Sequence, residues 1–162
     1  MMWIVLGVVV AVLVLLFMFG LSLPSRQQVT RVELLKAPVA EVWEALSDLP
    51  RQTHWRTGLK SVQMLDDDHG LRWVEQPERG GAVTLRKLKE LPAQELLLEM
   101  QQGSSKGTRS ARMNAVPGGT RVTFTEILET RTPIGRIRAR MGGGLDQRLD
   151  SFIQQLKAKF AV

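Results

Sequence analysis

Few side chains in this sequence are suited to catalysis, and those few stand apart. Among 162 residues there are two histidines, no cysteine and no tyrosine. That composition removes disulfides, thiolate metal sites, a cysteine nucleophile and a phenolic general acid. His69 follows the run Asp66-Asp67-Asp68. A contiguous acidic run cannot aim all its side chains at one ion without an unusual loop, and hairpin turns are commonly acidic, so no metal site is expected. His54 is the one candidate general base. No carboxylate stands at a spacing that would orient it, so no catalytic set is assigned. No cofactor is expected either.

Glu126 is the more informative carboxylate. It falls in phase with Val122, Phe124 and Leu128 along an alternating segment. A buried carboxylate is costly unless paired. Glu126 therefore either meets a cation such as Arg112 or Arg86 and offers a polar handle to a ligand, or a bulge turns it to solvent. Trp55 and Trp73 are candidates for contact with an apolar ligand, with plain packing as the alternative, whereas Trp43 reads as core. Met64, Met100, Met113 and Met141 would form a deformable, polarisable wall if they converge, or fill gaps in a core. Leu85, Phe124 and Leu145 complete the candidate lining. Arg131, Arg136, Arg138 and Arg140 crowd the start of the last helix, where cations oppose the helix dipole. That placement suggests contact with lipid headgroups, the other reading being a solvated basic face.

The elements that must position these residues begin with an apolar one. Met1 to Leu23 carries no charged side chain. As a helix it would span roughly 34 Å at 1.5 Å per residue, against a hydrocarbon core of about 30 Å. Trp3 sits near one end, where an amphipathic ring favours the interface. No basic residue precedes the stretch, it is too long for the core of a cleaved signal, and Gly20-Leu21-Ser22 is a poor cleavage site. Residues 1–23 are thus expected to be a single-pass anchor, 24–28 a linker and 29–162 one folded domain. Arg26, Arg31 and Lys36 follow the anchor, which by the positive-inside rule puts the domain in the cytoplasm. The net charge of +6 and pI near 10.3 imply attraction to anionic surfaces. Beside an anchor, lipid is a better partner than nucleic acid, and no nucleic-acid binding is expected.

Within the domain, Val29 to Leu35 alternates as a strand. Ala37-Pro38-Val39 opens a short helix with Val42, Trp43 and Leu46 on its apolar face. Asp48 can cap a second short helix running through Pro50 to about Trp55. Period-two segments follow at 59–65, 71–76, 82–91, 95–101, 108–116 and 120–129. The segment from Gly103 to Gly107 reads as a loop, and Pro117-Gly118-Gly119 is a strong hairpin signal. Thr132-Pro133 starts a long helix whose stripe Ile137, Met141, Leu145, Leu149, Phe152 or Ile153, Leu156 and Phe160 is interrupted by Gly142 to Gly144. The order predicts an α+β domain: a curved antiparallel sheet of about seven strands, two short helices after the first, and a closing C-terminal helix. A cupped sheet under one helix tends to leave apolar space.

Ala37-Pro38-Val39-Ala40-Glu41-Val42-Trp43-Glu44-Ala45-Leu46-Ser47-Asp48, followed by Trp55, resembles the opening of the START-like helix-grip superfamily. Within it the polyketide cyclase/dehydrase and lipid-transport (SRPBCC) group is most similar. Gly118-Gly119-Thr120-Arg121-Val122-Thr123 is similar to that group's final hairpin. The resemblance covers about residues 29–160 and implies a helix-grip fold with a cavity for a hydrophobic small molecule or lipid. On that basis the leading expectation is a membrane-anchored lipid- or apolar-ligand-binding domain. A cyclase/dehydratase-type enzyme and a ligand-free interaction module at the membrane surface remain open beside it.

Overall fold

The computed structural model describes residues 1–67, 70–141 and 143–161. The apolar N-terminus forms helix α1, Met2–Ser22, exposed along its length except at Gly20. With a mean hydropathy of 3.2 over its most apolar stretch, it is long and apolar enough to cross a membrane. Strand β1 (Arg26–Leu35) follows, then α2 (Val39–Ser47) and a 3-10 turn at Pro50–His54. Six strands come next: β2 (Leu59–Asp67), β3 (Gly70–Pro77), β4 (Val83–Leu91), β5 (Glu95–Gln102), β6 (Ser105–Val116) and β7 (Gly119–Thr130). Helices α3 (Pro133–Arg140) and α4 (Leu145–Phe160) end the chain.

All seven strands form one antiparallel sheet in the order β1-β7-β6-β5-β4-β3-β2. Strands β2 to β7 are successive hairpins, and β1 closes the far side of β7. This is the helix-grip architecture that the order of elements and the resemblance implied. Register shifts in β2 and β4 add local bends of the kind that curl a sheet. On the concave face, Trp73, Leu85 and Met100 stand side by side across β3, β4 and β5, all buried. Helix α4 sets Leu145, Leu149, Ile153 and Leu156 into the core. Its outer side is tied to β1 by Arg31–Asp150 at 2.9 Å and Lys157–Glu33 at 2.8 Å.

Four details differ from the sequence expectation. The linker is shorter: β1 already pairs Arg26 with Glu129, and the Thr130 amide donates to the Ser25 carbonyl at 2.8 Å. The loop expected at 103–107 is a turn only at its start, because Gly103 takes a positive φ of 56° and β6 begins at Ser105. Gly107 belongs to the strand, where a side chain would collide with the Ile127 carbonyl of β7. The second short helix is 3-10, and Asp48 does not cap it; its carboxylate instead meets Arg51 at 3.3 Å. Finally, the closing helix is two helices. Met141 leaves the helical region with ψ 139°, and Gly143 adopts φ +97°, a backbone state glycine tolerates and other residues resist.

Candidate functional site

Three inward positions along the sheet carry charge where the alternation calls for apolar side chains. Glu126 of β7 stands opposite Arg109 of β6, and Arg109 Nε donates to Glu126 Oε1 at 2.6 Å. Strand β3 places Glu75 two residues beyond the buried Trp73, on the same face. The curl of the sheet carries Glu75 back toward β6, to 3.9 Å from an Arg109 terminal nitrogen. Arg56, just past the 3-10 turn, grips Glu75 through both terminal nitrogens, at 2.8 and 3.2 Å. The same guanidinium donates to Gln52 Oε1 at 2.9 Å, while Gln52 Nε2 donates to the Leu46 carbonyl at 3.0 Å at the end of α2. Arg56, Glu75, Arg109 and Glu126 thus form an alternating chain of charge inside the domain. The side chains of Glu75 and Glu126 are only 6% and 4% exposed.

Burial alone would push the Glu75 carboxyl up. Arg109 and Arg56 outweigh it, helped by the hydrogen bond from Arg56, and hold it below the ordinary carboxylate range. Burial likewise opposes the charge on Arg109, but Glu126 and Glu75 more than restore it. The Trp73 indole nitrogen is buried without a hydrogen-bond partner among the described residues. It faces the Glu75 carboxylate outside good bonding geometry, which adds slightly to the depression of that carboxyl. A carboxyl lowered in the folded state contributes stability that is complete above its unfolded value and is lost as pH falls toward the folded one. Thermal stability is therefore expected to drop below about pH 4.3, and the drop should be shallower in Glu75→Gln, read from melting temperature against pH. Glu95 and Glu99, on exposed ion pairs, are also held low. Their share is screened by salt, so the Glu75 component is the one that survives high ionic strength.

Phe152 of α4 closes over this chain. Its ring centroid is 5.2 Å from the Arg56 guanidinium carbon and 6.0 Å from that of Arg109, a cation–π arrangement with two arginines. The ring also packs against Trp55 at 5.6 Å and Phe124 at 6.0 Å. Beneath it lies an interior cavity of about 30 Å³, walled by leucines 46, 49, 96 and 98, Ala111, Phe124 and Phe152, with Gln52, Glu75, Arg109 and Ser110 as its polar contributors. That volume suits a water molecule and no larger guest. On the far side of Trp55 lies an outer cleft of about 330 Å³ bordered by Glu41, Glu44, Asp48, Arg51, His54, Lys159 and Phe160. Trp55 lines the cleft and Phe152 lines the inner cavity, and their rings meet with planes tilted by 56°.

The structure brings together only part of the candidate set. Phe124 lines the inner cavity, and Glu126 turns inward rather than to solvent. Its partner is Arg109, not Arg112 or Arg86; those two point away and pair with Glu95 and Glu99. Trp55 lines the outer cleft. Trp73, Leu85, Met100, Met113 and Leu145 are buried in the core without lining the cavity. The four methionines do not converge. Met64 is 38% exposed on the edge strand β2, and Met141 is 69% exposed at the break after α3. His54 borders the outer cleft, so it and Glu126 make no acid–base pair. The aspartate run and His69 lie in part outside the described residues, and among those described no cluster of potential metal ligands occurs. Of the four arginines, Arg131 and Arg138 are exposed. Arg136 donates to the carbonyls of Thr130 and Leu23 at 3.1 and 3.3 Å, and Arg140 to that of Pro24 at 2.9 Å. Sequence reasoning missed Arg56, Glu75 and Arg109. Two of them carried a usable signal, since Glu75 keeps phase with Trp73 and Arg109 with Ala111 and Met113, as Glu126 does with Phe124.

Among solved structures, the fold is shared with the Zhui aromatase/cyclase of a Streptomyces species. Identity is 14%, the match covers 83% of this chain and 93% of that one, and the TM-score is 0.68. A START superfamily protein from Mycobacterium smegmatis is 14% identical, with 82% and 96% covered and a TM-score of 0.65. An uncharacterised protein from Rhizobium leguminosarum is 18% identical, with 82% and 93% covered and a TM-score of 0.60. No curated protein sequence matches the chain. At these identities the likeness is one of fold. Residues 26–161, from the first residue of β1 to just past α4, match the family described as polyketide cyclase / dehydrase and lipid transport. The sheet, its inward charges and its closing helix all lie within that span, and the chain belongs to that family.

Proposed function

We propose that the domain binds one hydrophobic small molecule carrying a polar end, taken up between the sheet and α4, while α1 holds the domain at a bilayer. The observation that carries this reading is the interior cavity: an apolar lining with Arg109 and Glu75 among its polar residues, and Phe152 on its wall in contact with Trp55 of a larger cleft. Binding sites for such molecules are mostly apolar with a few convergent polar groups. In this reading the cavity of about 30 Å³ corresponds to a closed form. Swinging Phe152 away from Trp55 would join it to the cleft of about 330 Å³, which reaches the size range of small-ligand pockets. The guest's polar end would then meet Arg109 where the Phe152 ring now lies. Both inner carboxylates already face arginines, which suits binding better than proton transfer. The basic residues after α1 support a cytoplasmic position for the domain under the positive-inside rule.

The full chain reconstituted in lipid nanodiscs is the material for the test. An apolar fluorophore whose emission rises on burial should bind at one site per chain. Phe152→Ala should take it up faster and hold more of it, because the ring that meets Trp55 is gone. Native mass spectrometry should release one small apolar molecule per domain. If neither wild type nor Phe152→Ala binds a guest by either readout, the reading is wrong.

A further inference from the structure

Helix α3 is an anomaly in a domain otherwise built around one core, since none of its residues is buried. Its neighbour is α1. Gly20 is the one buried residue of α1, and a Cβ there would come within 2.6 Å of the Pro133 carbonyl carbon and 2.9 Å of Pro133 Cβ. Glycine at position 20 is what lets the two helices touch. From that point α3 follows the exit of α1: Arg136 donates to the Leu23 carbonyl and Arg140 to that of Pro24. Leu23 is the C-cap of α1 and Pro24 the residue after it, so both contacts lie just beyond the negative end of the helix dipole. The last turn of α1 has no basic residue of its own, and α3 brings cations to that end. The contact leaves Pro133 level with Gly20, within the final turn of the apolar span.

We propose that α3 is an interfacial helix that rests in the headgroup layer of an anionic bilayer. This rests on the reading that α1 spans the membrane. A helix clamped to α1 at the depth of Gly20 has no route away from the surface. The side chains it leaves free suit that position. Ile134, next to Pro133, is 59% exposed, and Met141 is 69% exposed. Arg131 and Arg138 are exposed and, among the described residues, make no ion pair. Apolar side chains that reach the acyl boundary beside cations that meet lipid phosphates are the attributes of an interfacial amphipathic helix.

The absence of cysteine allows single-label measurements on the full chain. Ile134→Cys, Val10→Cys and Lys159→Cys are each labelled with an environment-sensitive fluorophore. The proteins are placed in vesicles of phosphatidylcholine alone or mixed with phosphatidylglycerol, with doxyl-lipid quenchers at shallow and deep positions. The expected result is deep quenching at 10, shallow quenching with a blue shift at 134, and neither at 159, on the far end of α4. Phosphatidylglycerol should strengthen the signal at 134. Reversing both free charges (Arg131→Glu with Arg138→Glu) should remove that gain, at about fivefold per charge in the population at the interface. If position 10 is quenched and position 134 behaves like 159, α3 stands clear of the bilayer and the proposal fails while the anchor reading survives. If position 10 is unquenched, both fail. A signal at 134 indifferent to phosphatidylglycerol overturns the preference for anionic lipid. Quenching at 134 that depends on protein density overturns the lipid assignment in favour of a second copy of the chain.

Discussion

Replacing Arg109 by Met should destabilise the domain by about 3–5 kcal/mol, the range seen when one partner of a buried ion pair is removed. The size follows from what is left behind. Glu126 would keep a buried carboxylate with no cation, and Glu75 would keep only Arg56. Taking a carboxylate out of water costs several kcal/mol unless an opposite charge and hydrogen bonds compensate. Adding Glu126→Leu to the same chain should recover most of the loss, because the interior would then hold two apolar side chains and Glu75 would still be gripped by Arg56. The double-mutant cycle, read by chemical denaturation of the full chain in nanodiscs, should give a coupling of a few kcal/mol. A single variant that loses less than about 1 kcal/mol would mean that water already reaches the cluster, as at an exposed pair.

Trp73→Ala should be equally damaging, at about 3–5 kcal/mol for a large buried aromatic cut to Ala. Trp73 has no exposed surface and stands between Leu85 on β4 and Met64 on β2. Cutting it back leaves a void that the paired strands cannot close, since their spacing is set by hydrogen bonds. Trp73→Phe should cost clearly less than Trp73→Ala, because most of the ring volume is kept and the indole nitrogen has no hydrogen-bond partner among the described residues to lose. The two variants together separate packing from polarity. If Trp73→Phe were as harmful as Trp73→Ala, the indole N–H beside Glu75 would be the important group, and the small electrostatic benefit at Glu75 would have been underrated.

Both predictions concern residues of the interior, and the sequence made that interior legible to different degrees. Glu126 could be found because its phase with Val122, Phe124 and Leu128 is a local property of one strand. Its partner could not, because Arg109 lies on another strand and the pairing register decides which of Arg109 and Arg112 faces inward. A shift of one residue would have exchanged them. The methionines illustrate the reverse error. Met64 keeps phase with Val62 and Met141 falls on the stripe from Ile137 to Leu145, but an edge strand and a helix end leave both exposed outside the core.

What the sequence by itself determined is what periodicity and chain stiffness govern: an uncharged stretch long enough to span a bilayer, the order of helices and strands, the hairpin turns, and the helix-breaking glycines before α4. These depend on residues a few positions apart. Only the tertiary structure decided that Glu75 and Arg109 meet, that Phe152 packs over them beside a cavity of about 30 Å³, and that α3 leaves the core to clasp the end of α1. Those outcomes turn on the sum of twists and bends over seven strands. A few degrees per strand move side chains by several ångströms at the far edge, and no local pattern encodes that total.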